Sequence, residues 1–294
     1  MRKLVLVALL VAACGASTAN AQALALTYKS GDTYKYKVHS TANEMIDAGV
    51  MTLPVKLDLK ADETVTVKSV DSSGTAGLSI DLSNVVMSSV TGSDSSATAT
   101  PGMTMPTISM TVAADGRILS VNGNSFGGNP FTQFTGGGAF ISAVLPDKAV
   151  KAKDTWSKDF DQANPMGTGS THVTSTSTYL RDETLKGIKA AVVETKTNGT
   201  VDLTIDVSKA LAGAPDASTA GIPAGLLQSL SVKGTITSTV TSWIDPSGHR
   251  IMKSQKTGTV NAKMTFTGMS GQAIPGLTGP ITIKGDETTD LSPA

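Results

Sequence analysis

The chain has 294 residues with 24 Lys+Arg against 24 Asp+Glu, which leaves no basic footprint for nucleic acid or an anionic membrane surface. Charged residues are 16% and aromatics 4%, where about 25% charged is usual, so Ser and Thr must cover the solvent faces. A single cysteine excludes an internal disulfide.

The chain opens on Met1-Arg2-Lys3 and an apolar run from Leu4 to Ala13, well short of the about 18 residues a spanning helix needs. Residues 1–21 therefore read as an export signal with two competing processing sites. Ala19-Asn20-Ala21 is a small-x-small cleavage site before Gln22, and Val11-Ala12-Ala13-Cys14 fits lipid attachment at Cys14. The first is favoured, because cutting at Cys14 leaves an unusually short signal. Loss of residues 1–21 removes Arg2 and Lys3, leaving 22 Lys+Arg against 24 Asp+Glu, a net charge of −2. The expected location is periplasmic or secreted, with the membrane reached only through a lipid anchor at Cys14.

From Thr33 the pattern has period two. Tyr34, Tyr36 and Val38 take one side and Lys35, Lys37 and His39 the other, which predicts a strand. Val55, Leu57, Leu59, Ala61, Val65 and Val67 share one parity, interrupted only by Glu63, against Lys56, Asp58, Lys60, Asp62, Thr64, Thr66 and Lys68. One buried and one wet face is the antiparallel habit. Asp71-Ser72-Ser73-Gly74 turns the chain, and Leu78, Ile80 and Leu82 continue it. Residues 92–106 read as a long loop. Ile108, Met110 and Val112 lead into Asp115-Gly116, and Ile118 to Val121 lead out, a hairpin signal.

Glycines dominate residues 122–140, with a short helix predicted near Ala139 to Leu145. His172 to Leu180 is a Thr/Ser-rich strand. Ala190 to Thr197 and Thr200 to Val207 flank Asn198-Gly199, which predicts a second hairpin. Residues 209–230 read as a loop with a short helix around Ala224 to Ser229. Val232, Ile236, Val240 and Ile244 share a parity before a turn at Pro246 to Gly248, and Val260, Ala262, Met264 and Phe266 form a further inward row. A loop at 268–280 precedes a last strand at Ile281 to Ile283, after which the tail should fray.

Tyr28-Lys-Ser-Gly-Asp-Thr-Tyr-Lys-Tyr36 is echoed by Pro146-Asp-Lys-Ala-Val-Lys-Ala-Lys-Asp-Thr-Trp156, and Asp115-Gly116-Arg117 by Pro246-Ser-Gly-His-Arg250. The pattern predicts an all-β protein: one domain over 24–294, built from two sequence-related halves, 24–125 and 145–285. Pairing them hides edges neither could close alone, giving a large antiparallel curved sheet or partly open β-barrel with one or two short helices in loops. Two small sandwiches in series rank second, because no Pro/Ser linker separates the halves.

The paired Lys29-Ser-Gly-Asp-Thr-Tyr34 and Pro146 to Trp156 motifs, with Trp243-Ile-Asp-Pro-Ser-Gly-His-Arg250, resemble a family of uncharacterised bacterial exported proteins. The resemblance spans nearly the whole chain beyond the signal and implies no catalytic residues. Here Ala152-Lys153 replaces the glycine that usually precedes the second Asp-Thr-Trp. At fold level the architecture is similar to the half-open barrel of periplasmic lipoprotein carriers, whose apolar concave face holds acyl chains, an analogy that fixes no function.

Gly123-Asn124-Ser125-Phe126-Gly127 matches a nucleophile elbow, but Gly127-Gly128-Asn129-Pro130 cannot start the helix that would expose Ser125. His39, His172 and His249 stand at no metal-ligand spacing and read as solvent-face or turn residues. Asp62-Glu63, Asp182-Glu183 and Asp286-Glu287 are adjacent pairs that would point to opposite faces of a strand; they read as solvated turn residues. No cofactor and no metal are expected. Trp156 and Trp243 read as packing against their hairpins. Met103, Met105, Met269, Phe126, Phe131, Phe134 and Phe140 lie outside the strand rows, either as core plugging the barrel ends or as the lining of an apolar ligand site. The leading expectation is a non-enzymatic envelope protein binding a lipid or other apolar ligand in a curved sheet. A structural or interaction module with a fully packed interior comes second, and a serine hydrolase using Ser125 third.

Overall fold

The alternating residues build strands of up to 19 residues, far beyond the usual five or six. The computed structural model describes residues 21–49, 51–92, 98–101, 105, 107–122, 141–163, 167–206, 227–268 and 279–294. Twelve strands run in chain order: β1 (Thr33–Asp47), β2 (Thr52–Val70), β3 (Ala76–Thr91), β4 (Thr98–Pro101), β5 (Ile108–Val112), β6 (Ile118–Asn122), β7 (Thr155–Ala163), β8 (Gly167–Leu185), β9 (Ile188–Asp206), β10 (Leu227–Asp245), β11 (Arg250–Gly268) and β12 (Ile281–Pro293). They form one antiparallel sheet in the order β6-β5-β3-β2-β1-β12-β11-β10-β9-β8-β7, with β4 beside β3. The sheet curls into a half-barrel.

Register aligns the apolar parity of every long strand on one inner face. One row crosses seven strands as Leu59, Ser40, Thr289, Lys256, Val240, Thr195 and Ser177. The outer face is hydroxyl-rich as composition requires, with cross-strand pairs such as Thr237 with Thr259 at 2.7 Å and Thr41 with Thr288 at 2.8 Å. The curl needs close backbone approach at Gly234, where a Cβ would lie 2.3 Å from the Asn261 carbonyl oxygen and 2.6 Å from Ala262 Cα.

Two irregular segments, residues 22–28 and 141–150, lie on one end of the inner face and plug it. They pair with each other at Gln22 and Val150. Their Leu24, Leu26, Tyr28, Ile141, Ala143 and Leu145 join Tyr36, Val65, Val67, Leu78, Ile80, Val193 and Ile244 in the main core. Strand hydroxyls anchor the second segment: Ala143 N–H donates to Ser242 Oγ and Val144 N–H to Thr195 Oγ1, both at 2.9 Å, while Ser177 Oγ and Trp156 Nε1 donate to the Val144 carbonyl, both at 2.9 Å. This explains why buried strand positions carry Ser and Thr: an irregular segment's backbone must be satisfied inside the core.

The same end draws the two sheet edges together. Lys158 on β7 reaches Asp115 in the β5–β6 turn and Asp147 in the second segment, each at 2.6 Å, and Arg117 lies 5.0 Å over the Phe160 ring. Burial alone would raise the Asp115 carboxyl, but Lys158 and the Arg117 backbone and side chain outweigh it and hold it below the ordinary carboxylate range. A separate cluster of Ala190, Val192, Trp243 and Met252 occupies the outer face, with Lys253 Nζ 4.4 Å over the Trp243 ring.

The repeated Asp-Thr-aromatic turns fold alike. Asp32 N–H donates to the Lys29 carbonyl and Asp154 N–H to that of Lys151, both at 3.0 Å. Gly31 has φ +91 and Lys153, at the matching position, φ 81. Lysine there takes a conformation that suits glycine. Lys153→Gly is therefore expected to stabilise the protein by about 1 kcal/mol in chemical denaturation; a loss of stability would refute this.

Several expectations are corrected. Asn198-Gly199 makes no hairpin: β9 runs through it without a break, because Gly199 faces Ile236, where a Cβ would meet Cγ1 at 2.6 Å. Residues 141–145 are irregular rather than helical, their backbone groups taken by Ser242, Thr195 and Asp115. Leu227 to Ser229 begin β10, and residues 224–226 lie outside the described residues, as do 139 and 140. No helix occurs among the described residues. The tail does not fray: β12 extends to Pro293 and pairs with both β1 and β11.

Candidate functional site

Beyond the plugged end, the inner face carries a second and separate aliphatic cluster. Val201, Leu203, Ile205, Leu230, Val232, Val260, Ala262, Met264 and Ile283 are buried there, with Ile46, Ile236, Phe266 and Ile281 packed against them. They come from β1, β9, β10, β11 and β12, the centre of the sheet. The described loop segments that enter the inner face hydrogen-bond at the other end, to Ala114, Asp115, Thr195, Ser242 and His249.

A polar belt separates the two clusters. Ser40 Oγ and Thr289 Oγ1 are 3.1 Å apart. Lys256 Nζ meets Glu287 Oε1 at 2.5 Å, with the side chains only 11% and 19% exposed. Gly258 makes room for that carboxylate, since a Cβ would lie 2.9 Å from Glu287 Oε1. Glu44, diagonal to Glu287 across β12, is half-buried and has no hydrogen-bond or salt-bridge partner among the described residues. Burial first, and the Glu287 charge second, raise its carboxyl above the ordinary range.

Glu63 is a further inner-face carboxyl, at the plugged end between Tyr36 and Leu82. It is 1% exposed, and neither carboxyl oxygen has a hydrogen-bond partner among the described residues. Burial pushes its pKa well above the ordinary carboxylate value, which favours the neutral acid. Tyr36 O–H beside it donates to the Ile251 carbonyl at 2.8 Å. A water-sized cavity lies nearby among Tyr28, Tyr34, Tyr36, Val65, Arg250, Ile251 and Leu291.

The adjacent acidic pairs are thus not turn residues. Asp62-Glu63, Asp182-Glu183 and Asp286-Glu287 all sit within strands, and the pleat turns Glu63 and Glu287 inward. Alternation flagged Glu63 as the one break in an apolar row; nothing local distinguished Glu287, which register alone places beside Lys256.

Of the sequence-predicted ligand residues, Phe126, Phe131, Phe134, Phe140, Met103 and Met269 lie outside the described residues, as do Ser125 and Cys14. Met105 is half-buried just ahead of β5. His39 pairs with Asp58 at 3.0 Å on the outer face. His172 meets Asp161 at 3.0 Å and Asp159 at 3.3 Å; the Asp161 hydrogen bond, then the Asp159 charge, raise its pKa. His249 occupies the β10–β11 turn with φ 49. No group of three metal-ligating side chains occurs among the described residues.

No family model matches the sequence, and no curated protein matches it. Among solved structures, a chain from work on lipid–protein interactions in lipovitellin is similar at a TM-score of 0.39 and 11% identity, over 91% of this chain and 26% of that one. The chain therefore spans about a quarter of the length of the structure it resembles.

Proposed function

We propose that the protein is an exported, non-enzymatic binder of an apolar or amphipathic molecule, held at the end of the inner face away from residues 22–28 and 141–150. The observation that carries this reading is the division of that face. Among the described residues, one end is packed by residues 22–28 and 141–150, while the other gathers a separate, largely aliphatic cluster behind a polar belt. Apolar lining with a few placed polar groups is the make-up of small-molecule sites. Export follows from the reading of residues 1–21.

The test is fluorescence titration with diphenylhexatriene, an uncharged probe. Saturable binding is expected. Phe266→Asp should weaken it by about tenfold or more, since it puts a charge against the aliphatic surface, and Thr265→Asp on the outer face should leave it unchanged. Absence of binding would instead favour a structural module with a filled interior, the arrangement already present at the plugged end.

A further inference from the structure

We propose that the edge of β7 is the docking site for an extended, basic segment of a partner protein, which joins the sheet between β7 and β6 as β12 does between β1 and β11.

The two halves of the chain give the place. Each enters its first strand through the same hydrogen-bonded turn. Gly31 N–H donates to the Val67 carbonyl and Val67 N–H to that of Asp32, both at 2.9 Å; Lys153 N–H donates to the Tyr179 carbonyl at 2.6 Å and Tyr179 N–H to that of Asp154 at 3.0 Å. β1 therefore matches β7, residue for residue from Asp32 and Asp154. Each first strand opens a meander, β1-β2-β3-β5-β6 in one half and β7-β8-β9-β10-β11 in the other. β12 stands between the end of the second meander and the start of the first, paired to both. The corresponding place between β6 and β7 holds no strand among the described residues, although side chains already cross it. Tyr36 O–H reaches past β12 to the Ile251 carbonyl, and its match Lys158 reaches Asp115 ahead of β6 in the same way.

The residues beside that place give the chemistry. Val38 is buried between Ala61 on β2 and Leu291 on β12. Its match Phe160 pairs with Val173 on β8 and stays half-buried under Arg117, so the inner side suits an apolar side chain. On the outer side the charges are reversed: Lys37 and His39 on β1 match Asp159 and Asp161 on β7. To the β1 cations, β2 supplies Asp62 and Asp58, and β12 sets Asp290 opposite His39. To the β7 carboxylates, β8 supplies His172, shared at 3.3 and 3.0 Å, and they remain 66% and 68% exposed. A strand on their far side is complementary when it carries Lys or Arg outward. Full antiparallel pairing with β7 of a second copy would set Asp159 against Asp159, which selects against self-association. In such strand addition main-chain hydrogen bonds give affinity and alternate side chains give specificity.

Fluorescence anisotropy and amide hydrogen exchange of the full chain test this with three capped peptides of about ten residues: one alternating valine and lysine, its valine and glutamate counterpart, and the lysine peptide N-methylated throughout. The lysine peptide is expected to bind and to slow exchange of β7 amides that are unprotected in the free protein; the other two should not. Asp159→Asn with Asp161→Asn should weaken binding about fivefold at low salt, the scale of two cross-strand ion pairs. Asp202→Asn with Asp286→Asn, an equal charge change away from the edge, should leave it unchanged. No binding by the lysine peptide, or binding that leaves β7 exchange unaltered or survives N-methylation, overturns strand addition. Equal affinity for the lysine and glutamate peptides overturns the basic character of the partner. Edge amides of β7 already protected in the free protein, by its own chain or by a second copy, overturn both.

Discussion

Glu63→Gln is expected to stabilise the protein near neutral pH and to flatten its stability on the alkaline side of about pH 5. The folded chain keeps Glu63 protonated because burial raises its pKa well above the ordinary value of 4.5. The unfolded chain gives up that proton at the ordinary value. Below it both states carry the proton and ionisation contributes no penalty. As pH rises above it, only the unfolded state ionises, and stability falls until the folded-state value is reached. Each pH unit in that window costs about 1.4 kcal/mol, so the gain from the substitution should grow with pH until the folded-state value is reached. Glutamine keeps the shape and cannot ionise. Denaturant titrations of both proteins across the pH range decide the matter: stability curves that run parallel would remove Glu63 as the cause.

Gly234→Val should cost about 3 kcal/mol or more and lower the melting temperature by about 6–12 °C. The first atom added meets backbone of β11, the Asn261 carbonyl oxygen at 2.3 Å and Ala262 Cα at 2.6 Å. No rotamer change can relieve a clash with backbone, so β10 and β11 must separate or the curl must open. Gly279→Ala is the control, because nothing lies within 4 Å of its added Cβ and surface changes of that kind stay within about 0.5 kcal/mol. A Gly234→Val protein melting within about 2 °C of the parent would show that the curvature does not depend on this approach.

Much of the sheet was legible because period two is a local property. The parities of Val55 to Val67, Val232 to Ile244 and Val260 to Phe266 assign the inner face correctly, and Asp115-Gly116 and Pro246 to Gly248 mark real hairpins. Asn198-Gly199 misled because the same dipeptide serves a turn or a tight crossing within a strand, and only the neighbouring Ile236 decides which. The irregular course of residues 141–145 was hidden for a similar reason. Its backbone partners, Thr195 and Ser242, lie 51 and 99 residues away. The polar belt could not be read at all, since Lys256 and Glu287 are ordinary strand charges until register sets them side by side.

The place of β12 between β1 and β11 bears on how such a chain reaches its native state. Tyr36 pairs with Pro293 and Asp47 with Thr282, so the first strand waits for the last one made. Before β12 arrives, two long ladders of unpaired amides stand open in the middle of the molecule, and closing them requires contacts of very high sequence separation, which are slow to form. A polypeptide of this topology is exposed to aggregation through that interval. The export proposed above would favour a route that delivers the chain unfolded, with holdase protection until the central strand is seated.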